Sequence, residues 1–490
     1  MRLLTGLLII ASGLAIALLP LTSAAVLVAG CAVVIVTLIR PEASLYLLAF
    51  AVPFGSLRSI SLGGMSITAT EILVALLAAA WLARGVYLRS IRVVHAPLIV
   101  PLVLVLITQL LSLFDVLSLT LALKEIIKWT EVLVVYVIAA SILSSSGQSD
   151  TPLRPLHVLL LSLLAAAVAE ALLGAYQFVM RAGPEWFLIG RFMRAYGTFA
   201  QPNPFAGYLN LALPLGYALL VWSLHWHAAA SGTAHGVWQR HAHWLPVALA
   251  GWLALVGGAL LMSMSRGAWL GCAVALVAVS LLYSRRTAAL TALGGILLAS
   301  LLILGSADLL PAGVTGRLAS ITDYVRVFDV RHVEVTDANF AVVERMAHWQ
   351  AAWGMINDRP WLGFGAGNYP AAYATYALAG WKEPLGHAHN VLLNVWAETG
   401  IAGLAAYLFF LAAALWTCWR TAARQIQSED TARRTSAAWF GRAVALGVLG
   451  VLLAKITHEM LDNLWVHSMG VQIALLLGIV SALDAPPRLR

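Results

Sequence analysis

The sequence predicts an all-α protein, a polytopic transmembrane helical bundle of about 12–14 spans. A mostly helical domain outside the membrane is expected before the last three spans. Three kinds of observation predict this. Hydrophobic residues make up 61% of the 490 residues and charged residues only 11%, whereas a soluble domain carries about 25% charged residues. The apolar runs reach roughly 17–25 residues, which suits helices and exceeds a barrel strand. A chain in lipid must also satisfy its backbone polar groups internally, so few strands are expected.

The apolar runs centre near Ile10, Val33, Phe50, Leu76, Leu104, Val134, Leu163, Leu213, Ala254, Leu276, Leu293, Phe410, Leu446 and Leu475. The first, Leu3 to Leu19, follows the basic Arg2 and resembles a signal peptide. A second span follows at once with no small-residue cleavage site between, so the first run reads as a retained helix. The third, Ala43 to Leu57, is short and holds Pro53. Basic residues set the orientation. Arg40, then Arg84, Arg89 and Arg92, then Arg285 and Arg286, then Arg420, Arg424, Arg433 and Arg434 fall on one side if the spans alternate. Arg2, Arg488 and Arg490 fall there too. By the positive-inside rule that side is cytoplasmic, with both termini inside.

Parity then divides the chain into a membrane region at 1–305 with an outer loop at 181–203, an outer domain at 306–388, and C-terminal spans at 389–490. The Ser265-Arg266-Gly267 turn also falls outside. A structureless outer domain of this length would be unusual. Asn339 to Asp358 reads as a helix, with Asn339 as N-cap and Phe340, Val343, Ala347, Gln350 and Ala351 near one face. Arg359-Pro360 ends it, because the residue before a proline is pushed out of the helical region. Gly363 to Gly367 reads as a flexible turn. Trp349, Trp353, Trp361, Tyr369, Tyr373, Tyr376 and Trp381 crowd this domain, either as interfacial anchors or as platforms for sugars.

The net charge of +8 could point to nucleic acid. The basic residues lie mostly in short loops beside spans, where they orient the chain instead, so no nucleic-acid partner is expected. Cys31, Cys272 and Cys418 all sit in apolar runs, without zinc or disulfide spacing, and read as packing residues. No internal repeat is visible, which argues against a secondary transporter.

Four groups of residues could carry chemistry. Arg191, Arg194 and Arg266 lie on the side where arginine should be scarce. Guanidinium forks suit phosphate, because they can donate two parallel hydrogen bonds; contact with lipid headgroups or snorkelling is the alternative. Arg191 and Arg194 would share a face on a helix. Gly267 would allow close backbone approach to a ligand. His389, in Gly386-His387-Ala388-His389-Asn390, can move a proton near neutral pH; an interfacial histidine or a chance metal pair is the alternative. A metal site is not expected, since only Glu383 is a carboxylate beside the pair and the chain has no Asp-x-Asp. Lys124, Glu125, Lys128 and Glu131 lie in the outer half of the sixth span. The lysines share a face and could extend a phosphate site, or the stretch could be self-paired. Glu170, Lys455, His458, Glu459 and Asp462 lie in or near spans, where ionisable residues are functional candidates; Lys455 and Glu459 could simply pair.

The order of short motifs resembles the O-antigen ligase and polymerase family of polytopic glycosyltransferases. His389-Asn390, then Gly400 and Gly403, follow a large outer loop and precede the last spans. Arg194 to Phe199 with Pro202-Asn203, then Ser265-Arg266-Gly267, then Arg345 with Trp349, then Pro360 to Gly365, resemble the family's other signatures. The resemblance runs from about Arg191 to Gly403 and is closest to the ligases. It implies a bacterial inner-membrane enzyme with its site on the periplasmic side. It implies an undecaprenyl-diphosphate-linked polysaccharide as donor, a sugar of the lipid A core as acceptor, membrane lipids as surroundings, and no cofactor. His389 is the expected base, with Arg266 and Arg191 on the diphosphate. Arg194, Asn390, Tyr196, Asn203, Arg345 and Lys128 are expected substrate contacts. Direct displacement would invert the anomeric centre; Glu398 is the one carboxylate that could instead form a covalent intermediate. An O-antigen polymerase or a protein O-oligosaccharyltransferase would share this chemistry.

Overall fold

The computed structural model describes residues 20–62, 65–89, 96–145, 155–230, 244–303, 328–336, 339–427 and 436–485. The chain is helical almost throughout. Its helices are α1 (Leu21–Ile39), α2 (Glu42–Phe54), α3 (Ala69–Tyr87), α4 (Ile99–Leu111), α5 (Leu119–Ser145), α6 (Pro155–Met180), α7 (Pro202–Asn210) and α8 (Leu213–Ala230). They continue with α9 (Trp244–Met262), α10 (Arg266–Tyr283), α11 (Arg285–Ile303), α12 (Phe340–Asp358), α13 (Tyr369–Tyr376), α14 (Val391–Gln427), α15 (Ser436–Glu459) and α16 (Met469–Asp484). Among the described residues nine helices are long and apolar enough to cross a membrane, and three apolar helices are shorter. This is a multi-pass membrane protein. Every expected span centre from Val33 onward lies on a helix; Ile10 lies outside the described residues. The only sheets among those residues are two antiparallel hairpins, Ser59–Leu62 with Met65–Thr68 and Leu188–Ile189 with Phe192–Met193.

The core is built from α5, α14, α15 and α16; α16 is almost wholly buried, whereas α5 and α14 also present apolar outward faces. Tyr136, Tyr208, Tyr407, Phe205 and Phe410 are buried in it. Small residues allow the closest approaches. A Cβ on Gly271 of α10 would lie 2.5 Å from the Ala454 carbonyl oxygen of α15. Such contact is typical of helices in lipid, which associate by packing rather than by the hydrophobic effect. The outward faces are strongly apolar, and α1 is exposed along nearly its whole length, as a lipid-facing helix should be.

Between α11 and α14 the chain forms a small packed unit outside the run of spans. Its helix α12 starts one residue later than the expected helix, with Asn339 at the cap position. The Asn339 amide turns backward, however: its Oδ1 accepts from the Thr336 N–H and its Nδ2 donates to the Glu334 carbonyl. The buried face of α12 runs through Val343, Ala347 and Ala351 as expected, but Phe340 is 47% exposed. The glycine turn at 363–367 is anchored by hydrogen bonds. Its amides dock on the end of the first segment of α14: Phe364 N–H donates to the Ala397 carbonyl and Gly365 N–H to that of Glu398. The α14 helix is itself broken at Gly400, whose φ of 67° lies in the left-handed region. A Cβ there would sit 2.0 Å from the Trp361 carbonyl oxygen, so only glycine allows the two segments to touch.

Candidate active site

Asn390 closes the outer unit by capping α14. Its Oδ1 accepts from the Leu392 and Leu393 N–H groups, and its Nδ2 donates to the Met460 carbonyl. With both ends engaged in this way, it positions chain rather than presenting a free amide to substrate. The preceding residue, His389, has φ 51°, unusual for a residue with a Cβ. The Trp349 indole N–H holds its carbonyl at 3.3 Å. Strain of this kind persists only where the surroundings enforce it, and it clusters at functional sites.

The loop between α15 and α16 brings Asp462 against this histidine. Asp462 Oδ1 lies 3.7 Å from His389 Nδ1 and 3.5 Å from His387 Nε2. Its Oδ2 accepts from Asn203 Nδ2 at 2.9 Å. Asn203 Oδ1 in turn accepts from Arg194 Nη2 at 3.1 Å, and Arg194 Nε donates to the Ser263 carbonyl. Arg345 Nε donates to the Leu461 carbonyl and pins the same loop from α12. A continuous polar chain therefore runs Arg194, Asn203, Asp462, His389. Sequence proximity offered the histidines only Glu383 as a carboxylate; the fold supplies Asp462 instead. The signal was present in Lys455, His458, Glu459 and Asp462 as ionisable residues near the end of a span.

Charge follows from this geometry. Burial pushes the Asp462 carboxyl up, but the imidazoles of His389, His387 and His458 around it outweigh that, leaving it ionised well below the usual carboxylate range. Burial lowers His387 to about 4, against the pull of Asp462, so this imidazole is neutral near neutral pH. Its tautomer is fixed as well. The His389 backbone N–H donates to His387 Nδ1 at 3.1 Å, so the proton sits on Nε2, facing Asp462. His389 Nδ1 faces the same carboxylate at ion-pair rather than hydrogen-bond distance, and both of its ring nitrogens are buried with no hydrogen-bond partner.

The ligand atoms of His387, His389 and Asp462 lie within 4.8 Å of one another, close enough to hold a metal. The His387 tautomer opposes that use. A metal on Nε2 needs the proton on Nδ1, where it would meet the His389 N–H head-on. Metal-bound histidines instead donate that second N–H to an acceptor.

Arg266 starts α10 and is half-buried beside this cluster, with Ser265 Oγ 3.4 Å from His458 Nε2. Gly267 serves packing rather than ligand approach: a Cβ there would lie 2.8 Å from the His458 ring. The helices α7, α10 and α14 all begin at this cluster, at Pro202, Arg266 and Val391. Their N-termini add partial positive charge where the arginines gather.

Several expected site residues lie elsewhere. Arg191 and Arg194 do not share a helix face. Arg191 lies in the turn of the second hairpin and Arg194 just past its second strand, so the two sit on either side of Phe192–Met193. Arg194 turns inward, while Arg191 is exposed over the Phe192 ring at 5.1 Å. Tyr196 folds into its own loop, its hydroxyl donating to the Ala182 carbonyl and its N–H to Gln177. Lys128 pairs with Glu125 in a separate cavity lined also by Glu71 and Glu131, an unsuitable setting for phosphate. Glu398 is fully engaged as a clamp, accepting from the Gly367 and Tyr369 N–H groups. Lys455 and Glu459 do pair, buried against Trp465 and Tyr407. Glu170 is spent on Thr198, which it receives from both hydroxyl and N–H.

A comparison with curated proteins gives no match. Residues 250–408 match the family model described as O-antigen ligase. That segment holds Arg266, Arg345, His389, Asn390 and Gly400, while the fold adds Arg194, Asn203 and Asp462 from either side of it. Over these residues the chain is similar to the O-antigen ligase and polymerase family of membrane glycosyltransferases.

Proposed function

We propose that this protein is an O-antigen ligase. It transfers polysaccharide from an undecaprenyl diphosphate carrier to a sugar hydroxyl of the lipid A core, at the periplasmic face of the bacterial inner membrane. The observation that carries the mechanism is the unpartnered His389 Nε2, held by Asp462 at the convergence of arginines and helix N-termini.

The roles divide by charge. Arg266, at the uncapped N-terminus of α10, receives the donor diphosphate and stabilises it as negative charge grows on leaving. Arg194 belongs to the same lining but is held by Asn203 and Ser263, so it also fixes the loop. His389 Nε2 takes the proton from the acceptor hydroxyl. As that oxygen bonds to the anomeric carbon, the bond to the diphosphate oxygen breaks and its electron pair leaves with the diphosphate. Asp462 orients His389 through Nδ1 and stabilises the imidazolium that forms, as a carboxylate does for a catalytic histidine elsewhere. One displacement inverts the anomeric centre. Glu398 has no free oxygen directed at a glycosyl group, which supports the direct route.

The test is reconstitution. Purified protein is given lipid-linked polysaccharide together with lipid A core, and products are separated by mass. Glycan on the core acceptor supports the ligase. Elongated carrier-linked glycan with no core product would make the protein a polymerase instead.

A further inference from the structure

A cleft of about 550 Å³ opens in the outer unit beside the base, bounded by the 330–335 segment, α12 and the 378–383 loop. Its size suits one or two sugar rings, within the roughly 300–1,000 Å³ of small-molecule sites. Its inner end is formed by His348 and Glu344. The His348 ring is 5.3 Å from that of His389, and Glu344 is close enough for its charge to interact with that histidine. Its outer end carries Phe340 and Trp381, with ring centroids 5.2 Å apart, and the charged Lys382 and Glu383. Phe340 is 47% exposed although it sits on an otherwise buried helix face.

We propose that this cleft binds the acceptor glycan and sets acceptor specificity, with Trp381 and Phe340 stacking on sugar faces and Glu344, Lys382 and Glu383 hydrogen-bonding ring hydroxyls. The inference rests on the transferase reading of the site. Aromatic faces are apolar and electron-rich, so they suit the C–H faces of pyranose rings. Carboxylates and an ammonium suit vicinal hydroxyls, which both donate and accept. At its inner end the His348 ring, which packs against His389, is all that separates the cleft from the base. The rigid wall is set from below. His348 stacks on Tyr373 at 4.6 Å, and Tyr373 donates to the Trp381 carbonyl, so the loop bearing Trp381 is tied to α12. A serine- or threonine-bearing peptide would not need paired aromatic faces.

The experiment uses the full-length protein in detergent. Delipidated core oligosaccharide is titrated in by calorimetry, and transfer is measured with varied core acceptor at saturating donor. Trp381→Ala and Glu383→Gln are expected to weaken binding and raise the acceptor KM about tenfold or more, with the donor KM unchanged. Glu383 is exposed, so that variant keeps the fold if Trp381→Ala does not. His389→Ala should still bind the oligosaccharide while losing transfer. Unchanged acceptor KM and binding in both cleft variants would overturn the inference and leave the ligase reading standing. Absence of oligosaccharide binding to the wild type would also overturn it. Oligosaccharide binding that depends on Trp381 without any transfer to core would instead sink the ligase reading and keep the cleft.

Discussion

Asp462 holds two imidazoles with one oxygen, and this sharing fixes what substitution should do. General-base catalysis supplies about 10²–10⁴-fold in rate, so His389→Ala should cost at least that in kcat while donor binding persists. Asp462→Asn keeps the size but turns the charge off, and kcat should fall by about 10²-fold or more with little change in KM. His387→Ala should cost much less, because its Nε2–H only shares the carboxylate; a dead His387→Ala beside an active His389→Ala would exchange their roles. Arg266→Lys should recover only part of what Arg266→Ala loses, since an ammonium keeps charge without the fork. Because the His387 tautomer opposes a metal, transfer should survive EDTA; loss restored by magnesium or manganese would refute that. The same residues give a pH signature for stability. His387 falls from an ordinary 6.5 to about 4 and His348 to about 3, both through burial first. Between these values and 6.5 the unfolded chain binds protons that the native one refuses. Their stabilisation is therefore full above pH 6.5 and is lost as pH falls toward 4 and below. Thermal melting should drop over that window, and less steeply in His348→Asn.

At the scale of elements, α14 is where the outer unit is fastened to the spans. Its break at Gly400 receives the Pro360 carbonyl on the Ile401 N–H, and its Glu398 receives two N–H groups of the glycine turn. Gly400→Ala combines a left-handed φ with a Cβ 2.0 Å from a carbonyl oxygen. A cost of about 1–3 kcal/mol follows from the backbone alone, before the clash, so this variant should accumulate poorly and melt early. Glu398→Gln should melt lower yet keep kcat per folded molecule within a few-fold; a folded but inactive Glu398→Gln would restore the covalent route. The elements themselves were legible from the sequence, since long apolar runs have few alternatives in lipid. The helix α12 was legible from its proline stop. What periodicity could not give was the hairpin under Arg191 and Arg194. Four paired residues around Gly190 carry no repeat long enough to see, so the shared face that a helix would give the two arginines could not be weighed against a turn. The anchoring of the glycine turn was equally hidden, because its partners lie about 30 residues ahead.

At the scale of the whole molecule, the site is assembled from four distant stretches. Arg194 and Asn203, Arg266, Arg345 with His389, and Asp462 meet at one end of the helices. His389, Arg194 and Arg266 stood out in the sequence because charged side chains beside spans are few, while Arg191, singled out on the same ground, lies exposed away from them. Asp462 was not assigned a role, because nothing in one dimension relates it to a residue more than seventy positions before it. Its convergence with the others gives a strong test of topology. Hydrogen bonds tie the 194–203, 263–266, 345, 389–390 and 460–462 segments together, so all must lie on the same side of the membrane. Arg285 and Arg286 lie at the opposite end of α10 from Arg266. The helix has 18 residues, about 27 Å at 1.5 Å each, close to the thickness of the hydrocarbon core. With Cys31, Cys272 and Cys418 replaced by serine, a cysteine at Glu334 should react with an impermeant thiol reagent in cells with a permeabilised outer membrane. One at Arg286 should react only after the inner membrane is opened. Both positions are exposed to the surroundings of the chain. Labelling in the reverse order would put His389 in the cytoplasm, where a periplasmic acceptor could not reach it, and the ligase reading would fall with it.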